Sequence, residues 1–182
     1  MRYRDRMGNY GNIVKGVRER KTQSQMMFYD RFVLAVYRSA FSIVGNESEA
    51  EEIAQDTMLK VFGRLDLLND DAGEMERILR RIATNAAIDV MRRRKDFIFS
   101  VEEILDFEDL EEEDDSRDFS VEEIREAVAT LPDAYRNILS LRLFEDMSFA
   151  EIAGLLAING STARVQYTRG ISKLKNLLNK KK

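Results

Sequence analysis

Apolar residues return along this chain at helical intervals, in blocks separated by short polar breaks. Met27, Phe32, Val36, Ala40 and Ile43 mark a helix over about 23–44, because one helical face comes round every three to four residues. Gly45-Asn46 is its stop signal. Ser48 and Glu51 stand in the S-x-x-E spacing that lets a hydroxyl and a carboxylate each satisfy a free amide at a helix start. The helix they open, about 48–64, buries Ile53, Ala54, Thr57, Val61 and Phe62. Its other face carries Glu49, Glu52, Gln55, Asp56 and Lys60.

Residues 65–73, LDLLNDDAG, read as a loop whose leucines tuck under the domain or wall a ligand or extruded base. A long helix over about 74–95 then turns Met75, Ile78, Leu79, Ile82, Ala86 and Val90 inward. Arg77, Arg80, Arg81, Thr84, Ile88, Arg92, Arg93 and Arg94 lie on its outer side, a strip suited to phosphates. From 96 to 118 the pattern breaks into twelve acidic residues and one basic. That segment is a linker between two helical domains, serving solubility or shielding basic faces until a partner displaces it.

The periodicity resumes at Ser120 with Val121, Ile124, Ala127 and Val128, and Pro132 opens a further helix with Tyr135, Ile138, Leu139 and Leu143 inward. Ser148 and Glu151 repeat the S-x-x-E start ahead of Phe149, Ile152, Ala153 and Leu156. Asn159-Gly160 supplies a tight turn, and Ser161 or Thr162 can cap the last helix. On that helix Ala163, Tyr167, Gly170, Ile171, Leu174 and Leu178 share one side, and Arg164, Val165, Thr168, Arg169, Ser172 and Asn176 the other. A helix docked by its apolar side with arginines outward has the design of a major-groove reader, since Arg meets guanine edges and a branched methyl meets thymine. An amphipathic helix with a merely solvated face has the same pattern. The tail favours DNA: residues 160–182 hold seven Lys or Arg and no Asp or Glu.

Composition narrows the chemistry. The net charge is −4, yet the acidity sits largely in 96–118 and conceals basic stretches on either side. With no Cys and no His, thiolate and histidine metal sites and histidine acid–base catalysis are excluded. Adjacent Asp70 and Asp71 lack a second ligand cluster. No metal, cofactor or catalytic residue is therefore expected. No apolar run approaches the roughly 20 residues of a membrane span, and the basic start is no secretory signal, so a soluble cytoplasmic protein is expected. One proline, nine glycines and few alternating β-branched runs predict an all-α fold of two helical domains. Residues 1–22 show no period and are expected to be a mobile basic extension or an arm touching nucleic acid.

On these residues the chain resembles an extracytoplasmic-function (ECF) type sigma factor of bacterial RNA polymerase. GNESEAEEIAQDTMLKVF followed by RILRRIATNAAIDVMRRRK is similar to the family's region two, and LPDAYRNILSLRLFEDMSFAEIAGLLAINGSTARVQYTRGISKL to its region four. The resemblance implies region two over 23–95, an acidic linker over 96–119 and a helix-turn-helix region four over 120–182. Region two would grip core RNA polymerase through Glu52, Gln55, Asp56 and Leu59. It would also capture the minus-ten promoter strand with Leu67, Leu68, Asn69, Asp70 and Asp71 and with Arg77, Arg81, Asn85 and Arg92. Region four would read the minus-thirty-five element through Arg164, Val165, Thr168 and Arg169, with Ser161 and Thr162 on phosphate. An anti-sigma factor is a further partner the family implies. Members often carry a tryptophan early in the helix after the loop, where this chain has Gly73 to Ile78, and alanine where it has Gly170.

Two other readings compete. A helix-turn-helix regulator acting without core polymerase would need a dimer or effector module in place of the acidic helix. A helical Mg²⁺ enzyme would need paired carboxylates that the chain does not offer.

Overall fold

A computed structural model describes residues 10–93 and 118–180. Those residues form helices α1 (Tyr10–Arg18), α2 (Thr22–Val44), α3 (Glu47–Gly63), α4 (Ala72–Arg93), α5 (Val121–Ala129), α6 (Asp133–Leu143), α7 (Phe149–Leu156) and α8 (Gly160–Lys180), with a 3-10 turn at Leu65–Leu67. The all-α expectation holds, and there is no strand among the described residues. The chain divides into two compact units, Met1–Ala87 and Ile88–Lys182, with the division inside α4. The acidic linker lies outside the described residues except at its last two positions.

In the first unit α2 packs on both α1 and α3. Phe28, Phe32, Val36, Ala40 and Ile43 are buried along it. Phe28 meets Phe32 and Phe62 edge-on at 4.8 and 5.7 Å between ring centres, a geometry that adds to burial. Gly45 ends α2 in the left-handed region at φ 63°, where glycine pays no steric cost. The cap of α3 differs from the expected Ser48. Asn46 accepts the Glu49 amide at 3.1 Å, so α3 begins one residue earlier, at Glu47. Asparagine caps as well as serine, and both lay within reach of the same turn.

Two further expectations need correction. Residues 10–18 are a helix, not part of a mobile extension: Ile13, Val14 and Val17 are buried against the core. Their i, i+1, i+4 spacing is a helical signal, but one too short to stand out alone. On α4 the buried positions are Met75, Leu79, Ala83, Ala87 and Met91, with Thr84 and Ile88 beside them. Ile78, Ile82, Ala86 and Val90 are only half-buried. A stripe repeating every four residues drifts around a 3.6-residue helix, as it does where neighbours cross obliquely along the four-residue ridge.

In the second unit α6 is central. Every residue from Tyr135 to Leu141 is buried, and α5, α7 and α8 all pack on it. Leu143, expected inside, is exposed, and Leu141 takes its place. Arg136 is drawn into this core, where its guanidinium pairs with Asp133 at 2.7 Å and donates to the Leu131 carbonyl at 3.4 Å. Leu139 meets Gly170 of α8 so closely that an added Cβ would sit 3.2 Å from its side chain. Gly170 therefore permits close approach of the two helices.

The capping boxes of α5 (Ser120, Glu123) and α7 (Ser148, Glu151) are both complete. The turn after α7 departs from expectation. Ala157, not Asn159 or Gly160, is the left-handed residue, at φ 54°, and Ile158 donates to the Ala153 carbonyl at 3.0 Å to close it. Gly160 is already the first residue of α8. Alanine at a left-handed helix end carries a steric cost that glycine avoids. Ala157→Gly is expected to stabilise the protein by about 0.5–1 kcal/mol in urea unfolding, the fold being otherwise unchanged.

Candidate functional site

Helix α8 sorts its residues sharply. Ala163, Gln166, Gly170, Leu174 and Leu178 are buried, while Arg164, Val165 and Thr168 stand exposed on one side. Val165 is 46% exposed, an apolar branched side chain that packing does not account for. Thr168 is exposed, and its hydroxyl donates to the Arg164 carbonyl at 3.1 Å. Arg164 lies 5.8 Å from the Phe149 ring centre, and Phe149 packs edge-on to Tyr167 at 5.3 Å, so the arginine is steadied against α7. Arg169 is half-buried, less open than its place in the pattern suggests. Ser161 and Thr162 fall inside the first turn of α8, which holds no acidic residue. Helix-start amides and the positive dipole end there favour an anion.

On α3 the four candidate residues converge. Glu52, Gln55, Asp56 and Leu59 are all exposed and fall within one side of the helix at 100° per residue. Leu59 is 66% exposed. The result is an acidic, polar surface with a bare leucine at its C-terminal end, which suits a partner surface of opposite charge.

The loop before α4 is held by hydrogen bonds from several directions. Leu68 points inward and is 7% exposed, whereas Leu67 is half-buried. Asn69 Oδ1 accepts the Asp71 amide at 2.8 Å, and the Asn69 amide donates to the Met75 sulfur at 3.4 Å. Asp71 caps α4, its carboxylate accepting the Glu74 amide at 2.8 Å. Asp70 pairs with Arg18 of α1 at 2.8 Å, and the Tyr10 hydroxyl donates to the Asn69 carbonyl at 2.8 Å. Those two contacts from α1 were not foreseen from the sequence; only the spacing of Ile13, Val14 and Val17 pointed to a helix there. Along α4, Arg77, Arg81, Asn85 and Arg92 are exposed, with Arg77 pairing Glu74 at 3.0 Å and Arg92 pairing Asp89 at 3.5 Å. Thr84 and Ile88, expected outward among them, are buried. Arg94 lies outside the described residues.

Two family models match the chain: sigma-70 region 2 over residues 28–97 and sigma-70 region 4 over 121–174. The Bacillus subtilis RNA polymerase sigma factor SigZ is 30% identical over 135 residues, 74% of this chain and 76% of that protein. The chain belongs to the ECF family of sigma factors. The ECF RNA polymerase sigma factor SigW of B. subtilis is 28% identical over 182 aligned positions, covering 91% of this chain and 96% of that protein. In three dimensions the sigma factor RpoE of Bartonella quintana, solved with the anti-sigma factor NepR, shares the fold. The TM-score is 0.50 at 18% identity, covering 85% of this chain and 96% of that one. The protein is thus an alternative sigma factor that directs transcription. No helix among the described residues is long and apolar enough to cross a membrane.

Burial raises the Tyr10 phenol from the ordinary 10.0 to about 12, with Asp70 and Asp71 adding to the rise and Arg31 and Arg18 opposing it. Below pH 10 the phenol is protonated in both folded and unfolded chains. Between pH 10 and 12 the unfolded chain loses the proton first, so the folded sigma factor loses stability as pH rises through that window. A spectrophotometric titration is expected to show a tyrosine ionising near pH 12, and Tyr10→Phe is expected to remove that step.

Proposed function

We propose that this sigma factor grips core RNA polymerase with the acidic side of α3 and reads a two-part promoter, one part with region two and the other with region four. Region two then runs over 23–95, with α1 added to it, and region four over 120–182, joined by the acidic linker. The observation that carries the reading is the sorting on α8: the packing side is buried while Arg164, Val165 and Thr168 are left for a ligand. A duplex major groove offers what those three need, acceptor edges for the guanidinium and thymine methyls for the apolar tips. Ser161 and Thr162 would set the helix start on a phosphate, and half-buried Arg169 would follow the backbone rather than a base.

In region two Leu67, Leu68, Asn69, Asp70 and Asp71 would receive an extruded base of the minus-ten strand. Arg77, Arg81, Asn85 and Arg92 would follow its phosphates. Glu52, Gln55, Asp56 and Leu59 would meet a basic and apolar surface on polymerase, charge steering the encounter and the leucine supplying burial. Such a subunit has no reaction of its own and works where core polymerase is, in the cytoplasm. RpoE of B. quintana is seen with an anti-sigma factor, and a protein of that kind is the regulator expected here.

Transcription by core polymerase with and without the purified chain tests the reading. Promoter-specific starts should appear only when it is added; a helix-turn-helix regulator would need another sigma present. Arg164→Ala is expected to weaken binding to the upstream element by about 1–3 kcal/mol with core affinity unchanged, as read by mobility shift of holoenzyme. Asp56→Lys should lower core affinity about tenfold or more while leaving the helix content intact by circular dichroism.

A further inference from the structure

Helix α1 is docked in a single register. Ile13, Val14 and Val17 are buried, and Gly16 faces α2 so tightly that an added Cβ would lie 2.6 Å from the Ser24 Cβ. Any shift along the axis would put a side chain where only glycine fits. That register fixes where the two ends of the helix reach. At one end the Tyr10 ring packs edge-on to Phe32 at 5.9 Å, lies 5.4 Å from the Arg31 guanidinium and sends its hydroxyl to the Asn69 carbonyl. At the other end Arg18 meets Asp70. One helix thus holds two consecutive residues of the loop.

We infer that α1 is a positioning element for strand capture, with Tyr10 and Arg18 holding the 67–71 loop in the shape that receives the extruded base. The inference rests on the strand-capture reading of that loop. Two physical points support it. A loop bearing Asp70 and Asp71 would repel the phosphates of a DNA strand unless those charges were committed elsewhere. Here Asp71 caps the positive end of α4 and Asp70 is paired with Arg18. The second point is that the Tyr10 bond goes to a loop carbonyl, so removing the hydroxyl frees the loop while leaving the ring packed on Phe32. The Arg18 pair is largely exposed and adds little to fold stability, so its value lies in the charge and place of Asp70.

The test uses holoenzyme reconstituted from core polymerase and the full chain. The probe is a promoter duplex found by mapping its transcript starts and labelled with 2-aminopurine in the minus-ten element. Tyr10→Phe is expected to reduce strand opening by about three- to tenfold, the scale of one partly buried hydrogen bond, and Arg18→Ala by about two- to threefold, the scale of an exposed ion pair, with core affinity unchanged. Arg18→Lys, which keeps the charge, should recover most of the loss. In the free chain, amide exchange across 67–71 should rise in Tyr10→Phe. Opening that is unchanged in both variants overturns the inference, as does a loss that only tracks core affinity or the folded fraction. If wild-type holoenzyme starts no specific transcripts, the strand-capture reading itself fails; if it does and the variants match it, only the role of α1 is lost.

Discussion

A helix that must meet DNA or polymerase cannot also carry most of a core, so each small unit is built on one helix that does. In the first unit that helix is α2, with Phe28, Phe32, Val36, Ala40 and Ile43 buried along its length. In the second it is α6, enclosed by α5, α7 and α8. Three of the surrounding helices are short, α7 having 8 residues and α5 and α1 having 9 each, lengths at which a helix is marginal alone. They persist because each lays an apolar side on the central helix, and α5 and α7 are also closed by capping boxes. What they leave outward is then free to be chosen for recognition.

That division explains how an acidic chain can handle a polyanion. The acidic side of α3 and the basic, branched side of α8 are carried on different units. Within the first unit the charges next to the proposed strand site are paired internally. Arg18 takes Asp70, Arg64 takes Asp66 at 2.7 Å, and Asp71 serves α4. Local neutrality there is a product of side-chain placement and does not show in the net charge.

Much of the architecture was legible in the sequence, and the misses have particular causes. The starts at Ser48 and Ser148 differ in outcome because Asn46 caps the turn ahead of Ser48, whereas Asp146, at the same distance before Ser148, sits in the left-handed region at φ 50° and leaves the cap to Ser148. The α4 stripe was misassigned because a period of 3.6 was assumed where packing follows every fourth residue. Ala157 in the left-handed region was invisible to a reading that looks for glycine or asparagine there. The α8 face was read correctly at Arg164, Val165 and Thr168, but Arg169 is half-buried, since one side of a helix is not uniformly open when its neighbours differ in height.

By itself the sequence determined the helical class, the order of most helices, the helix-turn-helix and the two family motifs. All of these are set by local spacing and by which residue types can end or begin a helix. Only the tertiary structure decided that α1 folds onto the core, that its ends hold Asn69 and Asp70, and that α6 is enclosed on every side. The loop contacts join residues more than fifty positions apart, and the docking of α1 depends on the absence of a Cβ at Gly16. Periodicity along one segment says which side is apolar; what that side meets is settled by the shapes of the segments packed against it.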